Sequence, residues 1–165
     1  MLDFKLFHLD GIEDSLLKAV QSLQYSREFG RGITFFGKNT DYLYSGRPHR
    51  SNEWPEWLNT ITQLQFPEEL CNDWNHCLIN RYAPFESLGE HRDDEHCLDG
   101  SILSISLGGT AEFSYRTNRS TPSTHLELSH GDMLIADGNW WHDNWHSAKN
   151  GNKERFNLTF RRIKD

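Results

Sequence analysis

The sequence predicts a mostly β chain with flanking helices, an α+β fold in which helices cover one face of a double-sheet jelly roll. Three observations predict it. Two helix-period stretches stand in the first part of the chain. Short strand-like runs separated by turn clusters dominate from Cys77 onward, and aromatic residues make up 13% of the composition. Taken in order, residues 11–24 put Ile12, Leu16, Val20 and Leu23 on one helical stripe, with Asp10 placed to cap it. Residues 30–46 are aromatic and punctuated by glycine, and read as β-structure through Ile33, Phe35, Tyr42 and Tyr44. Pro55 suits the first position of a second helix that buries Trp57, Ile61 and Leu64. Strands then follow at 77–82, 101–107, 111–116, 124–128, 132–136 and 155–163, with turns at 117–123 and 129–132. The chain reads as a single domain over 1–165, its helical, lid-forming part running to about residue 75 and its jelly-roll core filling about 76–165.

At 165 residues the chain can bury roughly 70% of its unfolded surface, enough for a true core. Cys71, Cys77 and Cys97 are an odd set without paired spacing, which argues against a disulfide framework and for a reducing compartment. No signal peptide, membrane-length apolar run or lipidation motif stands out, so the expectation is a soluble cytoplasmic chain without membrane contact, or a module of a longer polyprotein. The net charge of −7 argues against a phosphate-binding surface. Local clusters temper this: Arg47, His49 and Arg50; Arg116 and Arg119; and Arg161, Arg162 and Lys164. An acidic total predicts weak, salt-sensitive phosphate binding, and leaves room for a protein that reads bases.

Two segments carry chemistry. Residues two apart in extended backbone face one side, so His91 and Asp93 can bind one metal, and a histidine from a distant strand would complete a 2-His-1-carboxylate face. The spacing alone is common. The run 155–161 adds weight, because period 2 puts Arg155, Asn157, Thr159 and Arg161 on one face and Phe156, Leu158 and Phe160 on the other. The two arginines stand about 20 Å apart along such a strand, and arginine suits bidentate recognition of carboxylates. In 102–107, Leu103, Ile105 and Leu107 make an apolar face, while Ser104 and Ser106 with Ile102 suit either a cavity wall or a half-exposed surface.

Together, CLINRYAP at 77–84, His91-Arg92-Asp93 with Glu95 beyond it, SISLG at 104–108, HGD at 130–132, WHS at 145–147 and RFNLTFR at 155–161 resemble the AlkB-type dealkylases in order and spacing. SGRPHRSNEWPEWL at 45–58 and the aromatic stretch before it are similar, more particularly, to the AlkB-like domains within plant RNA-virus replication polyproteins. The resemblance implies a double-stranded β-helix core, Fe(II) and 2-oxoglutarate. It also implies oxidative demethylation of N-alkylated bases in single-stranded RNA or DNA, with RNA favoured, releasing formaldehyde, succinate and carbon dioxide. By motif, His91, Asp93 and His146 would hold the iron, with Arg161 beside them at the reacting centre. Asn80, Tyr82, Arg155, Asn157, Thr159 and Arg161 would hold 2-oxoglutarate: Arg155, assisted by Tyr82, at the distal carboxylate and Arg161 at the other.

Glu95 would meet the base, and Tyr42 and Tyr44 would stack on it or flank it. Strand parity does not separate His142 from His146 as the third ligand. The Trp-His-Ser context, fourteen residues beyond Asp132, selects His146. The nine-residue interval from His146 to Arg155 is shorter than in the bacterial member and predicts an altered rim. The brief region before residue 30 predicts few contacts to a complementary strand, which suits single strands, and the chain is expected to act as a monomer. One rival is a 2-oxoglutarate oxygenase acting on a protein or small molecule, which the acidity favours. Another is a non-catalytic jelly-roll binding module, against which the full set of ligands and arginines argues.

Overall fold

The strand pattern of the C-terminal half assembles around the run 155–163. A computed structural model describes residues 4–38, 43–44, 47–70 and 73–164. Its first part contains β1 (Phe4–His8), α1 (Glu13–Gln21), β2 (Ser26–Glu28), β3 (Arg31–Gly37) and the short β4 (Leu43–Tyr44) and β5 (Arg47–Pro48). A 3-10 turn, Glu56–Leu58, leads into α2 (Asn59–Thr62). After them come β6 (His76–Tyr82), β7 (Ser87–His91), β8 (Leu98–Gly108), β9 (Ala111–Arg116), β10 (Thr124–Leu128) and β11 (Asp132–Ala136). The chain finishes with α3 (Gly138–Asp143), β12 (Trp145–Asn150) and β13 (Arg155–Ile163).

Two antiparallel sheets form the jelly roll. The larger has the order β1-β11-β8-β13-β6-β3-β2 and the smaller β10-β9-β12-β7. β13 is central, with Asn157 opposite Asn80 of β6 and Ser106 of β8. Its period-2 alternation decides what lies on either side. Phe156, Leu158 and Phe160 join Cys77, Ile79, Leu103, Ile105 and Leu107 in the main core, which α1 covers with Leu16 and Val20 and the second helical segment with Leu58 and Ile61. The opposite face of β13 lines a cavity whose far wall comes from β7, β9 and β12.

The helices differ in detail from the sequence expectation. Asp10 does not cap α1; the N-cap position is Ile12, without a side-chain hydrogen bond, and Glu13 and Asp14 in the first turn supply the favourable negative charge instead. Pro55 is itself the N-cap, in extended conformation, and the segment after it starts as a 3-10 turn. Leu58 and Ile61 are therefore its fully buried residues, with Trp57 and Leu64 only packed against the core. The first 75 residues are less helical than expected, because β1, β2 and β3 all join the large sheet. Where β3 ends, Gly37 has φ +101°, and a Cβ there would stand 2.2 Å from the Asn75 carbonyl oxygen, so only glycine lets the two segments meet. Cys77 and Cys97 are free thiols, and Cys71 lies outside the described residues. Among the described residues no helix is long and apolar enough to cross a membrane.

Leu158 is fully buried at the centre of the large sheet. Leu158→Ala is expected to lower the unfolding free energy by about 2–5 kcal/mol, through lost burial and the cavity left behind. Urea denaturation of the two proteins measures it; a change under 1 kcal/mol would mean that β13 does not anchor the core.

Candidate active site

The small sheet brings the sequence-predicted ligands together. His91 ends β7 and pairs directly with His146 on β12, and their ring centroids are 4.3 Å apart. Asp93 follows two residues after β7, held by its backbone N–H donating to the Trp141 carbonyl at 3.2 Å. One ligand atom from each of His91, Asp93 and His146 lies within 4.8 Å of the others. Backbone carbonyls fix both imidazoles: His91 Nδ1 is 2.8 Å from the Gly89 oxygen, and His146 Nδ1 is 3.0 Å from the Asn144 oxygen. A carbonyl only accepts, so each Nδ1 carries the proton and each Nε2 presents its lone pair. Both Nε2 atoms stand 3.7 Å from the Asp93 carboxylate. The His146 ring is further wedged between Trp141 and Phe113.

Electrostatics keep this set ready to bind a cation. Burial drives the His146 pKa down to about 4 against the opposing pull of Asp93, so the ring is neutral near pH 7. Burial on its own would raise the Asp93 pKa, yet Arg161, His146 and His91 hold it below the usual carboxylate value. Arg161 lies 3.6 Å from Asp93. Two imidazoles and one carboxylate make a donor set that fits iron(II).

The predicted bed lies beside it, in one cavity of about 530 Å³. Arg155 is 2% exposed. Its Nε donates to Ser106 Oγ at 2.7 Å, one terminal nitrogen donates to Asn150 Oδ1 at 3.2 Å, and its guanidinium lies 5.8 Å from the Tyr82 ring centre. None of these partners is charged, and among the described residues no carboxylate pairs with Arg155. A buried cation with only neutral partners calls for an anion from outside. Asn157 donates to Ser104 Oγ at 2.7 Å and accepts from Thr159 Oγ1 at 3.0 Å, a linked polar floor. These residues fit a dicarboxylate 2-oxo acid next to a metal.

A family model described as the 2OG-Fe(II) oxygenase superfamily matches residues 12–161. The chain belongs to that superfamily. Within it, the chain is 34% identical over 152 residues to the RNA replication protein of Grapevine virus A, covering 87% of the chain and 9% of that protein. It is 30% identical over 144 residues to the DNA oxidative demethylase ALKBH2 of Mus musculus, covering 79% of the chain and 60% of that protein. The solved structure of OsALKBH1 superposes with a TM-score of 0.74 at 21% identity, covering 97% of this chain and 98% of that one. The resemblance to AlkB-type proteins and to viral replication proteins is thereby met, and so is the jelly-roll fold.

This oxygenase domain also places residues that sequence reading left open or missed. Asn80 lines the cavity and accepts from Arg31 Nε at 2.8 Å; an arginine only donates, so the Asn80 oxygen faces Arg31. Glu95 lines the same cavity. Tyr42 lies outside the described residues, as does the side chain of Tyr44, whose backbone belongs to β4. His142 is on α3, exposed and 2.8 Å from Asp143, so a strand-parity argument does not apply to it. Arg31, Asn150 and Trp141 were missed. A lone arginine within an apolar strand was a signal for Arg31; Asn150 and Trp141 offered none, because their roles come from side-chain and carbonyl contacts set by the tertiary fold.

Next to the bed, His76 of β6 faces Arg161 across the pairing with β13. Burial first, then Arg161, push its pKa down to about 3. The unfolded ring titrates near 6.5. As the pH falls below that value the unfolded chain takes up a proton that the folded one refuses, so stability drops towards pH 3 for His76 and pH 4 for His146. Between pH 6.5 and 5 each ring should cost up to about 2 kcal/mol. Urea melts of metal-free protein at pH 7 and pH 5 should show this loss, and His76→Leu should make the pH slope shallower. An unchanged slope would mean that His76 titrates in the folded state as it does in the unfolded chain.

Proposed function

We propose that this domain is an Fe(II)- and 2-oxoglutarate-dependent dioxygenase that demethylates N-alkylated bases in single-stranded nucleic acid, RNA in preference to DNA. The observation that carries the reading is Arg155. Among the described residues it is a buried cation with neutral partners only, in the same cavity as a three-residue candidate metal face. On this reading His91, Asp93 and His146 hold the iron. Arg155, assisted by Tyr82, pairs with the distal carboxylate of the co-substrate, and Arg161 stands at the carboxylate nearer the metal. Asn80, Asn157 and Thr159 line the bed, while Glu95, with Tyr42 and Tyr44, receives the base.

When bound, iron(II) and 2-oxoglutarate supply dioxygen activation and the oxidation of an N-methyl carbon, which leaves as formaldehyde with succinate and carbon dioxide as co-products. The protein orients the co-substrate, keeps His146 neutral and excludes water from the cavity. A methyl group on a Watson–Crick edge is reached only in an unpaired or flipped base, so single strands are the cheaper substrate. The demethylase name of the mouse relative supports a nucleic-acid substrate, and the viral relatives support RNA and a host-cytoplasmic setting. Because the chain spans 9% of the Grapevine virus A protein, we infer a single catalytic domain within a longer replication polyprotein.

The test mixes the protein anaerobically with iron(II) and 2-oxoglutarate, admits oxygen with methylated oligonucleotides, and reads methyl loss by mass spectrometry. Single-stranded RNA should be demethylated faster than DNA or duplex. Hydroxylation of a protein or small molecule, with no oligonucleotide altered, would overturn the nucleic-acid assignment.

Two variants test the assigned roles. Arg155→Ala removes a charge-assisted pair, so the apparent 2-oxoglutarate constant should rise about 10- to 150-fold while iron binding is spared. His146→Ala should abolish iron binding and turnover, whereas His142→Ala, altered at an exposed position of α3, should keep both; the opposite result would assign the third ligand to His142.

A further inference from the structure

The hairpin between β2 and β3 turns through two residues, Phe29 and Gly30, with Glu28 and Arg31 paired across it. Their φ angles are +50° and +77°. Positive φ at both positions is the mark of a type I′ turn, whose first position suits asparagine, aspartate or glycine. A phenylalanine there works against its own backbone preference. Phe29 is also 50% exposed, and it lies on the wall of the cavity that contains the metal face. The turn geometry thus explains the φ, and it sets an aromatic ring, half exposed, on the cavity wall.

The ring stands on a rigid base. Arg31, the residue after the turn, is buried and bonded to Asn80 on the cavity wall. Arg27 donates to the Gly30 carbonyl at 3.2 Å and also bonds Glu86, which fastens the other side of the hairpin. An unfavourable conformation with an exposed aromatic, held firmly at the mouth of a site, is what a binding contact requires. Phe85 shares the two costs, with φ +65° and 72% exposure, but it is not part of the cavity wall. It therefore serves as an internal control.

We propose that Phe29 is a stacking platform for a nucleobase at the cavity mouth, a neighbour in the strand of the base that enters. This rests on the nucleic-acid reading above. Aromatic stacking tolerates any base, because every base has a π-face, so Phe29 contributes affinity without choosing sequence.

The test compares Phe29→Asn, Phe29→Trp and Phe85→Asn with the parent protein. The probes are a fluorescein-labelled single-stranded oligoribonucleotide and an abasic strand of the same length, followed by anisotropy. Phe29→Asn should weaken binding of the base-bearing strand about 5- to 150-fold and leave the abasic strand unchanged. Its melting temperature should hold or rise, since Asn-Gly suits the turn, and 2-oxoglutarate consumption without oligonucleotide should be the same. Phe29→Trp and Phe85→Asn should both bind like the parent. Equal binding by Phe29→Asn and the parent would overturn the proposal, as would a fall in melting temperature with equal loss on both strands. A parent protein that binds and demethylates no oligonucleotide would instead refute the nucleic-acid reading itself.

Discussion

β13 buries two guanidinium groups, Arg155 and Arg161, at opposite ends of a strand in the middle of the large sheet. A buried cation is stable only where the surroundings compensate it, and the two ends are compensated differently. Arg161 has Asp93 at 3.6 Å, which joins the end of the sheet to the metal face. Arg155 has a serine, an asparagine and the face of Tyr82, groups that orient it without neutralising it. The cavity is shaped by that asymmetry, with one cation compensated by Asp93 beside the candidate metal face and the other, among the described residues, held by neutral groups.

The opposite wall obeys a related constraint. Two imidazoles must keep one orientation and hold still a few ångströms from a carboxylate. Direct pairing of His91 with His146 sets the spacing, carbonyls at both Nδ1 atoms set the tautomer, and Trp141 and Phe113 hold the His146 ring. None of these supports is a ligand, yet without them the ligands would be free to rotate. The site stands on strands of two facing sheets, so its precision comes from the hydrogen-bonded ladders. The Phe29 turn and the segment bearing Glu95 add to the cavity lining from outside these ladders.

Neutral buried histidines tie this arrangement to pH. His76 and His146 both refuse protons that the unfolded chain accepts, so the metal-free fold is held together best at neutral pH and above. Burying ionisable groups to prepare a site therefore also costs stability on mild acidification. The apolar core on the other side of the same sheet, built on Phe156, Leu158 and Phe160, makes that cost tolerable.

Alternation along 155–163 was enough, by itself, to predict a strand with a polar face, which lines the cavity, and an apolar core face. Local periodicity likewise placed β6, β8, β9, β10 and β11, and the motif order placed His91, Asp93, His146 and the two arginines. Period-2 patterning is a local property that survives in a bare sequence. Strands β7 and β12 were not legible, because their inward positions carry metal-site residues and their pattern is polar on both faces. The strands β1 and β2 are short and lie at sheet edges, where little apolar burial marks them, and α3 is a six-residue helix whose cap, Asp137 accepting from Asn139 N–H at 2.8 Å, belongs to no long periodic run. Only the tertiary structure decided that Asn150 meets Arg155, that Arg31 fixes Asn80 and that His142 stands apart on a helix. Those facts depend on which strands pair and in what register, a choice made by the whole chain at once.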